Sequence, residues 1–338
     1  MSRRRLSKRQ LERIQTLQER RRARADLRAE TALSEVESEP QRGIVVTRHG
    51  ATAAVAGTSQ EIHVCLLRQN LGHVVCGDRV VWQKTGGNSG VVTALSERTT
   101  VLARPDYAGR DKPLAANLTQ LVVVVAVEPA PSGYLVDQYL AAAEILGIRA
   151  AIAVNKVDLL DNPADPRLDR LGGYETIGYP VIRMTARKTH GLDALIIRLR
   201  NETSILVGQS GVGKSSLVKA LLPDQDIQTG RLSSATGLGR HTTSAATLYF
   251  LPRGGTLIDS PGVRSFRLPA MDRQQLERGF REFRPFLGHC QFSNCAHQDE
   301  PGCALRAAVA EGRIVQWRLD NFLNMARQLD HQTARGNP

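Results

Sequence analysis

The sequence predicts a multidomain protein in which a small OB-like β-barrel precedes an α/β domain and a small α-helical domain. Three observations support this fold class. Five short β-rich runs, separated by turn residues, lie within about 60 residues of one another. Strand and helix patterns then alternate, which is typical of a parallel sheet covered by helices. The last part of the chain holds short helical patterns and a cluster of cysteine and histidine residues.

Length and composition limit the class of protein. The chain has 338 residues, enough for two or three domains. No apolar run approaches the ~20 residues that a membrane-spanning helix needs, and five cysteines are too few for a disulfide scaffold. The basic N-terminus is not followed by an apolar stretch, so it does not resemble a secretory signal. We therefore expect a cytoplasmic monomer that does not bind membranes.

Residues 1–40 are expected to form a basic, flexible N-terminal arm. The whole chain has 45 Lys and Arg against 33 Asp and Glu, a net charge of +12. Residues 1–28 alone hold eleven basic and three acidic side chains, a net charge of +8. Such a block is typical of segments that bind nucleic acid, because arginine pairs with phosphate and stacks on bases. A solvated tail that only aids solubility is the alternative.

Residues 41–100 are predicted to form the OB-like barrel. Barrels of this type often bind nucleic acid, although the fold alone does not establish this function. Trp82 could stack on a base or lie in the core, and the core is the preferred interpretation. Cys65 and Cys76 are also expected in the core. The five strands are expected at 43–47, 51–55, 61–67, 79–82 and 90–93.

Residues 101–270 show the strand–helix alternation of an α/β domain. The first predicted helix, 134–147, is amphipathic. Its expected inner face consists of Leu135, Tyr139, Leu140, Ala143 and Leu146. Further helices are expected at 192–199 and 214–222. Strands are expected at 121–127, 150–154, 180–184 and 204–207, with a hairpin at 247–258.

A phosphate-binding loop follows the strand at 204–207. Residues 208–215 fit the pattern G-x-x-x-x-G-K-[ST] and lead into a helix. The glycines allow backbone N–H groups to surround phosphates, Lys214 can reach the β- and γ-phosphates, and Ser215 can bind Mg²⁺. We also predict a catalytic role for Lys214. The predicted phosphate-site residues are Gly208, Gln209, Ser210, Gly211, Val212, Gly213, Lys214, Ser215 and Ser216.

A base-specific site follows the strand at 150–154, where the chain fits N-K-x-D. Asp158 can accept both N–H donors on the Watson–Crick edge of guanine, which adenine does not offer. Asn155 can bind the O6 and N7 side, and the stem of Lys156 can cover the ring. Thr185 and Ala186, at the end of the next strand, are expected to contact guanine O6. Together with the phosphate loop, this pattern indicates a guanine nucleotide.

A magnesium and γ-phosphate sensor is predicted near the hairpin, where 259–262 fits D-x-x-G. Asp259 would hold Mg²⁺ and the Gly262 amide would meet the γ-phosphate. Either Thr242 or Thr243 is expected to reach Mg²⁺ as well. The residue after Gly262 is Val263, which cannot orient the attacking water. His241 is therefore the candidate catalytic residue for that task, and a structural or RNA-facing role is its alternative.

The motifs occur in a rotated order. Ordinary GTPases have the phosphate loop first and N-K-x-D late, whereas here N-K-x-D begins at Asn155 and the phosphate loop at Gly208. A circular permutation accounts for this order, because it keeps the site and moves the termini to another surface loop. The sequence therefore predicts a circularly permuted α/β P-loop GTPase domain.

Residues 271–338 are predicted to form a small α-helical zinc-binding domain with a C-terminal helix at 304–329. Three thiolates and one imidazole within 14 residues are a complete tetrahedral set for one structural Zn²⁺. Reduced structural cysteines beside a chance histidine are the alternative, and His289 is a substitute ligand. The predicted ligands are Cys290, Cys295, His297 and Cys303.

These features together resemble the ribosome small-subunit-dependent GTPase family of the RsgA/YjeQ type. The resemblance rests on the rotated motif order, G-Q-S-G-V-G-K-S-S-L, G-R-H-T-T, D-S-P-G-V and the C-x₄-C-x-H-x₅-C spacing, and it covers about residues 40–330. The turn at Cys76–Val80 and the segment Leu114–Asn117 are also similar. The resemblance implies a bacterial GTPase that acts late in maturation of the small (30S) ribosomal subunit. Such a protein would bind rRNA near the decoding region and leave when the subunit stimulates hydrolysis of GTP to GDP and phosphate.

Two other hypotheses belong to different classes. One is an RNA-binding module whose GTPase has decayed, which disagrees with the intact Lys214, Ser215, Asp158 and Asp259. The other is a translation or signalling GTPase without a role in assembly. The barrel, the Cys/His cluster and the basic arm favour an RNA partner over that hypothesis. A P-loop ATPase disagrees with Asp158.

Overall fold

The computed structural model describes residues 27–32, 36, 38–105, 111–160, 162, 165–187, 191–223, 246–259 and 271–336. They divide into two units, the first consisting mainly of residues up to Thr99 with Ala115–Asn117, and the second of most of the remainder. Within the described ranges, no helix is long and apolar enough to span a membrane. The finer division into residues 1–40, 41–100, 101–270 and 271–338 stays a prediction.

The first unit contains a closed five-stranded barrel. The strand order is β1-β2-β3-β5-β4, and β4 pairs back with β1. Only the β3–β5 pair is parallel. Because each strand has two partners, the barrel leaves no open sheet edge. The five predicted strands and the OB-like barrel are confirmed, with the bounds β1 (Gln41–His49), β2 (Thr52–Ala56), β3 (Ile62–Leu67), β4 (Arg79–Gly86) and β5 (Ser89–Leu95).

Trp82 lies in the core of this barrel and is 1% exposed. Two glycines leave room for its ring, since a Cβ atom at Gly43 or Gly90 would lie 2.9 Å from an indole atom. Cys65 and Cys76 are also buried. The core interpretation of these three residues is therefore confirmed, and Trp82 does not offer a face for stacking on a base.

Two segments that resemble the family outside the nucleotide motifs, the turn at Cys76–Val80 and the end of Leu114–Asn117, contact each other in this unit. Asn117 donates from Nδ2 to the carbonyl of Gly77 at 2.9 Å. The backbone N–H of Ala116 donates to the carbonyl of Cys76, also at 2.9 Å. Asp78 in the same turn is fully buried and accepts from Arg98 at 2.7 and 2.8 Å. These contacts give both segments a structural role.

The second unit is built on a largely parallel sheet. Its strand order is β10-β9-β8-β11-β13-β12, and β10, β9, β8, β11 and β13 run parallel to one another. All residues of β8 are buried, as expected for a strand covered on both faces. The bounds are β8 (Gln120–Ala126), β9 (Arg149–Asn155), β10 (Val181–Arg183), β11 (Thr203–Val207), β12 (Thr247–Phe250) and β13 (Thr256–Asp259). A separate pair, β6 (Val101–Pro105) and β7 (Asp111–Ala116), was not predicted.

Within the described residues, four helices accompany this sheet: α1 (Gly133–Ile145), α2 (Asp169–Ile177), α3 (Asp193–Leu199) and α4 (Lys214–Leu221). The sequence did not predict α2. The predicted inner face of α1 is partly wrong, since Leu135 and Leu146 are only half-buried while Asp137 is fully buried. The physical reason is that α1 packs on two sides, against the sheet and against the C-terminal helices, so a single apolar stripe does not describe it.

The C-terminal part consists of α5 (Arg273–Arg278), a 3-10 helix (Arg281–Phe286), α6 (Ala304–Ala310) and α7 (Gln316–Gly336). The prediction of one helix over 304–329 is wrong. Gly312 has a φ of +73° and interrupts the pattern, because a left-handed residue ends an α-helix. Aromatic rings of Phe280, Phe283 and Phe322 form the centre of this part, with centroids 4.8 to 5.5 Å apart.

Candidate functional site: a nucleotide pocket and a Cys/His cluster

The phosphate loop joins β11 to α4. Gly208, Gly211 and Gly213 have φ values of +141°, +83° and +94°. A Cβ atom at Gly208 would lie 2.1 Å from the carbonyl oxygen of Val124, and one at Gly213 would lie 2.4 Å from Nδ2 of Asn155. Both backbone conformation and close packing therefore require glycine here. The first N–H groups of α4 have no partner within the helix, so this end can bind phosphate.

Lys214 is held over this loop. Its ammonium donates to the carbonyl of Gly208 at 2.7 Å and to that of Gln209. Phosphate oxygens are stronger partners for an ammonium group than neutral carbonyls are. The side chain is thus already placed where a β- or γ-phosphate would compete for it. Val212 is buried, whereas Ser210, Ser215 and Ser216 are exposed at the mouth of the loop.

Two side chains connect the N-K-x-D segment to the phosphate loop. Asn155 is 2% exposed and donates from Nδ2 to the carbonyl of Val212 at 2.9 Å. Lys156, which has a φ of +62°, donates from Nζ to the carbonyl of Gly211 at 2.9 Å. Asn155 Oδ1 is buried and has no hydrogen-bond partner within the part of the chain that the structure describes. Its amide nitrogen also keeps one hydrogen for a ligand.

Asp158 is oriented by the neighbouring segment. Its Oδ1 accepts from the hydroxyl of Thr185 at 2.6 Å, and Arg187 lies 3.5 Å from Oδ2. Ala186 lies beside them, half-buried. The structure thus brings Asp158, Thr185 and Ala186 together, as expected. Sequence reasoning missed the contact through the Thr185 hydroxyl and the position of Arg187, although Arg187 is only two residues beyond Thr185.

Asp259, one of the predicted Mg²⁺ ligands, is the last residue of β13 and is half-buried. Since β13 pairs in parallel with β11, Asp259 lies at the edge of the sheet from which the phosphate loop starts. Ser215 stands in the first turn of α4. His241, Thr242, Thr243 and Gly262 lie outside the described residues.

The four predicted metal ligands form one cluster. The ligand atoms of Cys290, Cys295, His297 and Cys303 all lie within 4.8 Å of one another. His297 Nδ1 is 3.3 Å from Sγ of Cys303 and 3.6 Å from Sγ of Cys290. Three sulfurs and one imidazole nitrogen at this spacing fit a tetrahedral ion such as Zn²⁺. His289 is not part of the cluster.

The surroundings of the cluster also fit a metal. The other ring nitrogen of His297, Nε2, lies 3.3 Å from Glu277. A carboxylate in this position fixes the imidazole so that Nδ1 faces the ion. Burial raises the pKa of the Cys295 thiol to about 12, with further contributions from the neighbouring thiols. A bound cation favours the thiolate and so opposes this effect. The sequence did not indicate Glu277, because it is far from the ligand motif.

Comparison with known proteins identifies the family. The family model described as RsgA GTPase matches residues 95–269, more than half of the chain. A curated protein of Hahella chejuensis named small ribosomal subunit biogenesis GTPase RsgA is 44% identical over 98% of both chains. The chain belongs to the RsgA GTPase family. The resemblance inferred from the motifs is thereby confirmed.

Two solved structures share the architecture. The crystal structure of YjeQ from Thermotoga maritima matches with a TM-score of 0.72 and 31% identity, covering 86% of this chain and 99% of that chain. The structure of YloQ, a circularly permuted GTPase, matches with a TM-score of 0.70 and 26% identity, covering 87% and 96%. The predicted fold class, an OB-like barrel followed by a circularly permuted P-loop GTPase domain and a C-terminal part with a Cys/His cluster, is therefore confirmed.

Proposed function

We propose that this RsgA-family GTPase hydrolyses GTP to GDP and phosphate as a late-stage assembly factor of the small (30S) ribosomal subunit. One observation carries the nucleotide part: Asn155 of the N-K-x-D segment donates to Val212 of the phosphate loop at 2.9 Å. This contact supports the assignment of the base-specific and phosphate-binding segments to one pocket. The name of the relative from Hahella chejuensis supports the ribosomal part.

In this proposal each motif residue has one task. Asp158, oriented by Thr185, accepts the two N–H donors of guanine. Asn155, Lys156 and Ala186 contact the base, and the loop from Gly208 to Ser216 with the Gly262 amide binds the phosphates. Lys214 neutralises charge that develops during transfer of the γ-phosphoryl group, and His241 orients the attacking water.

Two metal ions belong to the proposal. The Mg²⁺ ion would be held by Ser215 and Asp259, with Thr242 or Thr243. When bound, it would neutralise part of the negative charge on the phosphates. Cys290, Cys295, His297 and Cys303 would hold one structural Zn²⁺. With four protein ligands the zinc site has no open position, so its contribution is to stabilise the fold around it.

The ribosomal partner is proposed to be rRNA near the decoding region. The net charge of +8 in residues 1–28 supports contact with RNA through the N-terminal arm, and the OB-like barrel supports a second contact. We propose that subunit-stimulated hydrolysis releases a monomeric, cytoplasmic factor that does not bind membranes, and that its domains follow the predicted boundaries.

Measurement of GTP hydrolysis tests this function. Purified protein is assayed alone and with added small subunits, large subunits or naked RNA, using ATP as the nucleotide control. We expect strong stimulation by small subunits alone and no hydrolysis of ATP. Equal rates of GTP hydrolysis in all four conditions would agree with a GTPase but contradict the ribosomal partner. Hydrolysis of ATP would contradict the assignment of Asp158 to guanine.

A further inference from the structure

Helix α5 contacts the metal-ligand loop, residues 290–303, through two side chains. Arg273 donates from a guanidinium nitrogen to the carbonyl of Ala296 at 3.0 Å. Oε1 of Glu277 lies 3.3 Å from Nε2 of His297. Arg273 and Glu277 are four residues apart, so both project from the same face of the helix. This face of α5 therefore contacts the segment that carries the histidine ligand.

The orientation of the His297 ring makes Glu277 the neighbour of the nitrogen that does not face the sulfurs. Nδ1 lies 3.6 Å from the sulfur of Cys290 and 3.3 Å from that of Cys303. A nitrogen that binds a metal carries no proton, so the ring proton belongs on Nε2, beside Glu277. The side chain of Glu277 is 15% exposed, and within the described ranges its carboxylate pairs with no lysine or arginine. The carboxylate is thus available to accept from the imidazole.

The backbone at His297 depends on its surroundings. Its φ is +59°, which is uncommon for a residue that carries a Cβ atom. Glu300 accepts from the backbone N–H groups on both sides of His297, from Ala296 at 2.9 Å and from Gln298 at 2.8 Å. These two bonds connect the metal-ligand loop only to itself. The two side chains of α5 connect it to a helix.

The other neighbour of α5 is α1. Gly279, directly after α5, packs so closely on α1 that an added Cβ atom would lie 3.1 Å from Cβ and 3.2 Å from Cα of Ala141. Leu276 is fully buried in the same apolar cluster as Ala141. Helix α5 therefore lies between α1 and the metal-ligand loop. Because the packing is close, a shift of α5 away from α1 would also move Glu277 relative to His297.

Helix α1 gives α5 a fixed surface. Asp137 of α1 is 0% exposed and Arg318 of α7 is 1% exposed, and their side chains lie 2.6 Å apart. Asn321 donates to the other oxygen of Asp137 at 2.6 Å. Arg318 also pairs through two nitrogens with Glu282. A buried polar network with these partners is rigid, so α1 has little freedom to shift with α5.

We propose that metal binding at the Cys/His cluster is coupled to the docking of α5 on α1, with Glu277 as the positioning residue for His297. Arg273 and Glu277 hold the metal-ligand loop in its ligating geometry while α5 lies against α1. Since coupling between two equilibria is reciprocal, α5 docks more firmly on α1 when the cluster is loaded. This inference rests on the proposed binding of Zn²⁺ by the cluster.

The Zn²⁺ affinity of the full-length protein, measured by competition with a chromophoric chelator, tests the role of Glu277. We expect Glu277→Ala to bind Zn²⁺ about 10- to 100-fold more weakly, because the imidazole loses its outer support. Glu277→Gln keeps an acceptor for the Nε2 proton and should lose less. Asp299→Ala is the matched control. This carboxylate lies in the same loop, but its side chain is 92% exposed and pairs with Arg306, so the affinity should equal that of the wild type.

A double-mutant cycle with Gly279→Ala tests the coupling to α1, because the added Cβ atom pushes α5 away from α1. We expect Zn²⁺ affinity to fall about threefold to tenfold in the wild-type background. In the Glu277→Ala background the same change should add little, since the contact that transmits the shift is already lost. Gly172→Ala is the control, because an added Cβ atom there meets no atom of the described residues within 4 Å.

Two further measurements accompany the titrations. The absorption spectrum of Co²⁺-loaded protein and thermal unfolding show whether each variant keeps its ligand set and folds. If Gly279→Ala does not fold, amide hydrogen exchange of the wild type decides the coupling instead. Removal of the metal by a chelator should speed exchange in residues 273–279, and unchanged exchange there would overturn the coupling.

The outcomes separate this inference from the proposed function. Wild-type protein that binds neither Zn²⁺ nor Co²⁺ would overturn both. Wild-type binding with an unchanged affinity in Glu277→Ala, or with an equal loss in Asp299→Ala, would overturn the role of Glu277 alone. Unchanged affinity in Gly279→Ala, or equal losses in both backgrounds, would overturn the coupling, because the docking of α5 and the metal site would then be independent.

Discussion

The nucleotide pocket and the contact between α1 and the C-terminal helices both depend on buried polar side chains, but the sequence encodes them differently. The pocket is formed by short contiguous motifs, and its glycines are required by local backbone conformation. The α1 contact joins single residues from distant elements; Asp137 and Asn321 are 184 positions apart. Glycine spacing is visible along a chain, whereas an ion pair between remote helices leaves no local pattern. The more strongly buried of the two regions is thus the one that the sequence did not indicate.

The largest expected effect on folding is at the α1 contact. Arg318→Met leaves Asp137 and Glu282 without their buried cation, and we expect the free energy of unfolding to fall by about 3–5 kcal/mol. Urea unfolding measures this loss. Arg306→Met is the control, because Arg306 is half exposed and pairs with the exposed Asp299, so its loss should be small. Equal losses in the two variants would show that burial of the cluster does not determine its energy.

Substitution in the phosphate loop should affect activity instead of folding. In Lys214→Ala we expect GTP hydrolysis to fall about 100-fold, because a cation aimed at developing phosphate charge is lost. Thermal unfolding should change little, since the carbonyls of Gly208 and Gln209 to which Lys214 donates belong to its own loop. Single-turnover hydrolysis and a melting curve measure the two quantities. A large loss of stability would mean that the loop, like the α1 contact, depends on its charge to fold.

The base-specific contact should give a smaller effect with a change of specificity. Asp158→Asn replaces an acceptor with a donor, so we expect GTP affinity to fall by about 10- to 100-fold and XTP to become the better ligand. Nucleotide titration of both ligands measures this shift. Asp169→Asn, on the exposed first turn of α2, is the control. Unchanged GTP affinity in Asp158→Asn would contradict the hypothesis that this carboxylate binds guanine.

The smallest expected effect concerns the residue that orients Asp158. Thr185→Val removes the hydroxyl that donates to Asp158 at 2.6 Å and keeps the shape of the side chain. We expect GTP affinity to weaken by about threefold to tenfold. In the control, Thr176→Val, the lost hydroxyl bonds to Gly172 within α2, away from the pocket, and affinity should stay unchanged. Matching affinities for the two variants would show that Asp158 needs no support from Thr185.

Much of the fold followed from local patterns. The barrel strands, the buried strand β8 and the hairpin of β12 and β13 were predicted because alternation and apolar runs reflect burial directly. The single C-terminal helix was wrong because Gly312 interrupts a stretch that otherwise keeps helical spacing. The strands β6 and β7 were missed because neither carries a strong apolar pattern.

The sequence by itself determined the phosphate loop, the guanine motif and the metal-ligand set, because each is a short run whose chemistry depends on spacing along the chain. Only the tertiary structure decided that Thr185 orients Asp158, that Glu277 supports His297, and that Arg318 is buried against Asp137. Charged residues in an isolated sequence are expected at the surface, because burying an unpaired charge is costly. Burial becomes possible when an oppositely charged side chain from another element pairs with the charge. Such pairing depends on how the helices pack, and packing brings together residues that no local pattern connects.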